Sequence, residues 1–178
     1  FAKVYAKKYE HVLTELVKHY GHWMNPSPVL LRKMGLRFAR SVLSTKELDP
    51  EQKLWRSVVI NAIEDCMIEH SDRKPSLIKI QAHNWIVLRT HDFNVVCGWG
   101  RLDPDDIEEC YVKALRKLEM RFTHRQVEWF KYDKLYKMML NAAIPDKKKF
   151  RKRLDKFRMH VKSTPITFLS TAFVSAFV

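Results

Sequence analysis

The sequence predicts an all-α protein: a multi-helix domain with a central helix-turn-helix and a basic C-terminal helix. Three observations indicate this fold. The chain of 178 residues contains only 4 glycines, apolar side chains recur at helical spacing along most of its length, and capping residues precede these stretches. No second strand candidate is present with which a sheet could form. We therefore expect no sheet, and the periodic segments predict seven or eight helices.

Two helices are expected before residue 48. Residues 1–22 carry apolar side chains at helical spacing, and an Asn-Pro-Ser-Pro break follows. In this break Ser27 can cap a new helix, which has Pro28 at its first position and runs to about Leu43.

Another capping signal opens the third helix. Residues 49–52 form a capping box, and the apolar stripe that follows continues to about His70. The composition of residues 71–75 predicts a surface loop. Residues 77–90 suit a strand or a helix by their spacing, and a helix is favoured because a strand would lack a partner.

A helix-turn-helix is predicted at residues 93–110. Two short helices that meet at a sharp turn need apolar residues at fixed offsets, because each helix shows only one face to the other. The residues at these offsets are Val96, Gly100, Leu102, Ile107 and Cys110. Asp103 and Pro104 begin the second helix, which is expected to extend through Leu118 to Arg121.

Two more helices are expected near the end of the chain. A capping box at 123–126 opens a helix that runs to about Ala143 and is ended by Pro145. Asp146 is expected to cap a final basic helix, which ends at the Ser-Thr-Pro sequence of residues 163–165.

These elements divide the chain into three parts. Residues 1–48 are expected to form an N-terminal helical extension. Residues 49–144 form the helical core, with the helix-turn-helix at 93–118. Residues 145–178 hold the basic helix and an apolar tail.

The charge of the chain favours a polyanionic partner. The 33 Lys and Arg residues outnumber the 20 Asp and Glu residues, which gives a net charge of +13. This excess is more than solubility requires, and it predicts binding to nucleic acid or to a nucleoprotein assembly. The hydrophobic content of 46% is sufficient for a buried core.

The cysteines and the lengths of the apolar stretches indicate the cellular compartment in which the protein is expected. Cys66, Cys97 and Cys110 form no CxxC pair and have apolar neighbours. We expect them to be reduced, buried thiols in a cytosolic setting. We see no secretory signal, and no stretch approaches the roughly 20 apolar residues of a membrane span.

The helix-turn-helix favours DNA as the partner, since such motifs place their second helix in the major groove. That helix starts with the carboxylates Asp105, Asp106, Glu108 and Glu109. They suit the helix dipole but repel phosphate. The later cations are better phosphate contacts: Lys113, Arg116, Lys117 and Arg121. Arg101, at the turn, and Tyr111 are expected to reach base edges. The alternative is a helical corner that only packs.

The segment 146–162 carries more than half of the excess charge. Its nine cations and two carboxylates give a net charge of +7. The cations are Lys147, Lys148, Lys149, Arg151, Lys152, Arg153, Lys156, Arg158 and Lys162. One stripe can pack, namely Phe150, Leu154, Phe157 and Val161. The rest would bind phosphates with steep salt dependence and little sequence preference. The alternative is a solvated face on an interaction helix.

The tail, residues 165–178, has no charged residue. Its apolar side chains follow helical spacing, and they are Leu169, Ala172, Phe173, Ala176 and Phe177. Left exposed, they would form a sticky patch. We expect the tail to dock on its own domain or on a partner, either a different protein or a second copy of the chain.

No catalytic, metal or cofactor site is expected. His19 and His22, with His11 nearby, have no third ligand at motif spacing. A nuclease would need clustered carboxylates with a lysine to hold Mg²⁺, and the helix start already explains the carboxylates at 105–109. No phosphate-binding loop or nucleophile elbow is present. Among the tryptophans, Trp99 is the one expected to be exposed.

Residues 55–107 carry a spaced pattern formed by Ala82, Trp85, Ile86, Asp92, Phe93, Val96, Cys97, Asp103, Pro104 and Ile107, with Trp55, Ala62 and Asp65 upstream. This pattern resembles a motif of small phage-encoded helix-turn-helix proteins. The chain departs from the motif at residues 100–101, where Ala-Gly is usual, and at Glu108, where Arg is usual. The basic helical architecture is also loosely similar to phage small terminase subunits, which recognise viral DNA and oligomerise.

The resemblance and the charge together predict a non-catalytic, phage-type protein that binds double-stranded DNA. It would act in genome packaging or transcription control, in the host cytoplasm or on the virion. The alternative is a structural or adaptor subunit of a virion or polymerase assembly, which binds protein partners through the basic helix and the apolar tail. A metal-dependent nuclease is the least favoured interpretation.

Overall fold

The structure is a computed structural model that describes residues 26–43 and 48–170. These residues form eight α-helices with no strand among them, so the all-α prediction is confirmed. The helix predicted at residues 1–22 lies outside the described residues, as do the three histidines that were considered as metal ligands.

In chain order the helices are α1 (Pro28–Met34), α2 (Leu36–Leu43), α3 (Pro50–Asp65), α4 (Arg73–Val87), α5 (His91–Trp99), α6 (Pro104–Arg116), α7 (His124–Asn141) and α8 (Ile144–Ser163).

Helices α1 to α6 share one hydrophobic core. Each contributes a side chain with no exposed surface, such as Leu30, Phe38, Ile63, Ile80, Phe93 and Ile107. Met120 and Phe122, between α6 and α7, join the same core. Burial of each large apolar side chain contributes about 1.5–3 kcal/mol. The helix-turn-helix is therefore built into the main core, and α1 and α2 belong to that core as well.

The predicted helix starts at three capping signals are confirmed. The Ser27 hydroxyl accepts a hydrogen bond from the backbone N–H of Leu30 at 3.2 Å. Reciprocal capping boxes occur at residues 49–52 and 123–126. In each box two of the first backbone N–H groups gain a side-chain partner, which fixes where the helix begins.

The single helix predicted at residues 28–43 is wrong, because Gly35 divides it. Gly35 has φ +89°, a conformation that favours glycine. Its N–H donates to the Leu31 carbonyl at 2.9 Å and so closes α1. The chain then begins α2 at the next residue, and the two short helices bury different faces in the core.

Three predicted helix boundaries in the middle of the chain also need correction. The helix predicted to carry the apolar stripe to about His70 ends at Asp65, although Met67 of that stripe still packs against the core. The loop predicted at 71–75 is in part helix, because α4 begins at Arg73 and tolerates Pro75 in its first turn. The second helix of the helix-turn-helix ends at Arg116 rather than Arg121, since Leu118 adopts φ +58°.

The start of the last helix differs from the prediction by three residues. Helix α8 begins at Ile144, so Pro145 lies in its first turn and Asp146 does not cap it. Proline is accepted there because its missing N–H would have no helical partner. The predicted end at residues 163–165 is confirmed.

Helices α7 and α8 form a hairpin with a second core of its own. The predicted stripe packs as expected: Leu154 and Val161 are buried, and Phe150 and Phe157 are half-buried beside them. The facing side chains of α7 are Trp129, Tyr132, Leu135 and Met139.

Two polar contacts fasten this hairpin to the start of α4. The indole Nε1 of Trp129 donates to the Ser71 carbonyl at 2.9 Å. The Arg73 guanidinium pairs with the buried Asp133 carboxylate at 3.0 Å and lies over the Tyr132 ring. These contacts hold α7 at the start of α4, and α8 packs on α7.

The first part of the tail docks on its own domain. The Leu169 N–H donates to the Phe122 carbonyl at 2.8 Å, and the His124 N–H donates to the Thr167 carbonyl at 3.1 Å. The Leu169 side chain packs against the main core. This supports the first of the two docking alternatives for residues 165–170, and residues 171–178 lie outside the described part of the chain.

Candidate nucleic-acid interface

The predicted helix-turn-helix is formed by α5, a short turn and α6. The offsets predicted to pack are confirmed, because Val96, Leu102 and Ile107 are buried where the two helices meet. Asp103 accepts a hydrogen bond from the Asp105 N–H at 2.9 Å and caps α6.

A buried arginine from α3 fixes this turn. The Arg56 Nε donates to the Gly100 carbonyl at 2.7 Å, and its Nη2 donates to the Arg101 carbonyl at 3.2 Å. Its Nη1 donates to the carbonyls of Ser41 and Val42 at 2.9 and 3.2 Å. One guanidinium thus satisfies carbonyls at the end of α2 and at the turn after α5, which holds the motif in place.

The acidic start of α6 is paired with two arginines from other elements. Arg37 of α2 pairs with Asp106 and, at 2.7 Å, with Glu109. Arg89, after α4, pairs with Asp105 and, at 3.4 Å, with Glu108. The four carboxylates therefore hold α6 against its neighbours. Two cations against four carboxylates still leave this end negative, which disfavours its entry into a groove lined by phosphate.

The prediction that Tyr111 reaches base edges is wrong. Tyr111 lies four residues after Ile107, on the inward face of α6, and its side chain has no exposed surface. Its hydroxyl lies 2.9 Å from Nδ1 of His83. Burial raises the pKa of Tyr111 well above its usual value, with a further contribution from Cys66. This residue belongs to the core and cannot contact a duplex.

Arg101 and Trp99 stand on either side of Gly100 at the turn, and both are exposed. Arg101 adopts φ +49°, a left-handed conformation in which glycine is usual. The Trp99 ring lies 4.5 Å from that of Trp55, centroid to centroid, and 41% of Trp99 is exposed, as predicted. The turn therefore presents a cation beside an aromatic ring.

The remaining predicted cations of the motif lie at the surface. Lys113, Arg116 and Lys117 are exposed at the end of α6, and Arg121 is exposed in the link to α7. The Arg121 guanidinium lies 4.3 Å from the centre of the Phe168 ring. None of the four pairs with a carboxylate within the described residues, so all are available to an anion.

Helix α8 presents most of its cations to solvent. Of the nine between residues 147 and 162, all but the half-buried Lys147 are exposed. Within the described part of the chain, their one ion pair joins Lys149 to Asp146 at 3.9 Å. The cations predicted to contact phosphate therefore form a broad positive surface.

A buried lysine of α4 had no signal in the sequence. The Lys79 ammonium donates to the carbonyls of Ile68 and Arg121, at 2.7 and 2.5 Å. Burial, with smaller contributions from the charges of Lys33 and Arg121, lowers the pKa of Lys79 to about 8. This ammonium holds together the loops on either side and is not open to a partner.

The predicted burial of the three cysteines is confirmed, and all three are free thiols. Burial raises the pKa of Cys66 and of Cys97 to about 12. Such thiols remain protonated and unreactive near neutral pH.

Two further kinds of feature, metal-ligand clusters and membrane-spanning helices, are absent from the described residues. No three His, Cys, Asp or Glu side chains among them are placed to hold a metal ion. None of the described helices combines the length and the apolar character that crossing a membrane demands.

Comparison with known proteins identifies no relative. No family model matches the chain, and no curated protein or solved structure matches it. The resemblance to small phage-encoded proteins and to phage small terminase subunits stays a prediction. The functional assignment therefore rests on the positions and charges of the residues themselves.

Proposed function

We propose that this chain is a non-catalytic protein that binds double-stranded DNA through the exposed cations of α8. The observation that carries the proposal is the placement of that helix. Its apolar stripe packs on α7, while eight of its nine cations between residues 147 and 162 are exposed. The phage setting, in genome packaging or transcription control, rests on the resemblance of residues 55–107.

The dimensions of α8 suit a DNA backbone. A helix of 20 residues is about 30 Å long at 1.5 Å per residue, close to the roughly 34 Å of one duplex turn. Its cations can therefore meet several phosphates at once. Each neutralised phosphate releases counterions, so the binding should depend steeply on salt and little on sequence.

The helix-turn-helix has a secondary role in this proposal. The paired carboxylates make the start of α6 a poor reader of bases, which favours contact through the turn and the far end of the helix. Arg101 is the residue of the motif that we expect near base edges. The cations that we expect on phosphate are Lys113, Arg116, Lys117 and Arg121.

Fluorescence anisotropy with two duplexes of equal length and unrelated sequence tests the proposal. We expect similar affinities for both, with log affinity falling linearly as log salt rises. If half of the exposed α8 cations contact phosphate, the slope is about −4, at about 0.9 per contact. Absence of binding to either duplex at low salt would refute the proposal.

The alternative, a structural or adaptor subunit, is favoured by apolar side chains left in solvent near the α7–α8 hairpin tip. Ile144 is 85% exposed and Met138 is 57% exposed. This function predicts self-association, or a protein partner co-purifying from infected cells. Native mass measurement of the full chain and of a chain ending at Ser170 tests for self-association. The shorter chain keeps the docked residues 165–170, so a difference in oligomeric state between the two chains would be due to residues 171–178.

A further inference from the structure

A basic cleft lies between the α1–α2 corner and the second half of α6. Its cavity volume is about 240 Å³. The cations in its walls are Arg32 and Lys33 from α1, Arg37 from α2, and Lys113 and Lys117 from α6. Gly35 lies at its edge, and a Cβ there would meet nothing within 4 Å. The break in the helix predicted at 28–43 is what brings α1 and α2 to this position.

The charge of the cleft is strongly positive once internal pairing is considered. Five cations and two carboxylates line it, and the Arg37–Glu109 pair cancels one charge of each sign. Glu119 is the other carboxylate. Within the described residues, none of Arg32, Lys33, Lys113 and Lys117 pairs with a carboxylate, which leaves four cations facing one anion.

The ligand that this arrangement suits is a phosphate group. Phosphate accepts hydrogen bonds on several oxygens at once, which matches cations that approach from two walls. The cavity equals about eight water molecules at roughly 30 Å³ each, so it has room for a phosphate group with part of its hydration shell but not for a base pair.

Further cations follow the cleft along the chain towards α8. Lys117 in the cleft wall is followed by Arg121, which is exposed in the link to α7. Arg121 in turn stacks on Phe168. Arg125 donates to the Lys162 carbonyl at the end of α8, at 3.0 Å. A chain of cations of this kind fits a polymer of phosphates better than a single ion.

We propose that the cleft binds a backbone phosphate of the same DNA duplex, with Arg32 and Lys33 on one wall and Lys113 and Lys117 on the other. This inference rests on the proposed function and adds α1 to the interface. It extends the contact beyond α8 and fixes the orientation of the protein on DNA. Local patterns gave no signal for Arg32 and Lys33, because their role depends on packing against a helix some eighty residues later in the chain.

Lysine-acetylation footprinting of the wild-type protein tests the site without any substitution. We expect Lys33, Lys113 and Lys117 to be protected by duplex DNA at low salt and to react again at high salt, while Lys74 stays reactive. Protection of the cleft lysines by inorganic phosphate alone, with none by DNA, would overturn the assignment to a DNA backbone. Absence of protection by either ligand would overturn the site.

Binding measurements on two paired variants give an independent test. We expect Arg32→Gln with Lys33→Gln, and Lys113→Gln with Lys117→Gln, each to weaken duplex binding about tenfold and to make the salt slope shallower by up to about 1.8. The matched control is Lys53→Gln with Lys74→Gln, which removes two charges outside the cleft. Circular dichroism checks that all variants are folded.

The outcome separates this inference from the proposed function. If charge reversal on α8 weakens binding while both cleft variants bind like the control, the cleft inference is wrong and the proposed function stands. If neither α8 nor the cleft affects binding, the proposed function fails as well.

Discussion

The backbone of Arg56 lies so close to Gly100 that any side chain at this turn of the helix-turn-helix would be crowded. A Cβ at Gly100 would lie 3.1 Å from the Arg56 backbone nitrogen and 3.2 Å from its Cγ. The same approach brings the Arg56 guanidinium to the Gly100 carbonyl. At Gly98, two residues earlier, a Cβ would meet nothing within 4 Å.

This difference predicts opposite effects for two glycine substitutions. Gly100→Ala should lower the free energy of unfolding by about 1–2 kcal/mol, because backbone atoms must shift to admit the methyl group. Gly98→Ala should raise it by up to about 1 kcal/mol, since alanine favours the helix. Urea denaturation measures both. Equal stability of the two variants would mean that the close contact with Arg56 is unimportant.

Substitutions of Arg101 test stability and DNA binding separately, because this residue combines a left-handed backbone conformation with an exposed cation. Arg101→Gly should raise the free energy of unfolding by about 1 kcal/mol, because glycine adopts positive φ without strain, and should weaken DNA binding through loss of the cation. Arg101→Gln is the control, which keeps the strain and loses the charge. If the glycine variant binds DNA as tightly as wild type, Arg101 is not part of the interface.

The burial of Tyr111 predicts a purely structural effect. Tyr111→Phe removes the hydroxyl that meets His83 and should lower the free energy of unfolding by about 1 kcal/mol. The affinity for duplex DNA should not change, since the side chain never reaches the surface. Thermal denaturation and anisotropy on the same sample give both quantities. Weaker DNA binding by a fully folded variant would contradict the buried position.

The buried Lys79 predicts a pH-dependent stability. Its pKa is about 8 in the fold, against 10.5 ordinarily. Between these pH values the unfolded chain binds more protons than the folded protein, so the free energy of unfolding increases as the pH rises. The stability of wild type relative to Lys79→Met should therefore rise by about 2 kcal/mol from pH 7 to pH 9.5, at about 1.4 kcal/mol per pH unit above pH 8.

The comparison with Lys79→Met is needed because other groups act in the opposite sense. The pKa values of Cys66 and Cys97 are raised by burial from 9.0 to about 12. Their contribution to stability is complete below pH 9 and is lost as the pH rises towards 12. Lys79 lowers the pKa of Cys66, so Lys79→Met raises it further, and both thiols therefore stay protonated in the folded state of either protein up to pH 9.5. Their effect on stability cancels in the difference over this range. A difference that is constant with pH would mean that Lys79 stays charged throughout.

The helix starts could be predicted because their causes are local. Each capping signal lies within four residues of the N–H groups that it satisfies, so Ser27 and the boxes at 49–52 and 123–126 act through the chain itself. The inward stripe of α8 follows from its spacing in the same way. The prediction for Tyr111 is wrong although the residue follows the buried Ile107 by four positions, a spacing that puts both side chains on one face of α6.

Contacts between distant segments could not be predicted. The Arg37–Asp106 pair joins residues 69 positions apart, and Arg56 reaches Gly100 across 44. No local pattern encodes such pairs, since they follow from how the helices pack. For the same reason the basic cleft, which depends on the corner at Gly35, was not anticipated.

Charge reversal on α8 tests the central claim most directly. We expect Lys149→Glu with Arg153→Glu to lower the affinity for two unrelated duplexes by at least about tenfold at the same salt concentration, and to make the salt slope shallower by about 2. Lys53→Glu with Lys74→Glu, which changes the net charge equally, should have a much smaller effect. Wild-type affinity of the α8 variant at low salt would contradict the claim that this helix binds DNA.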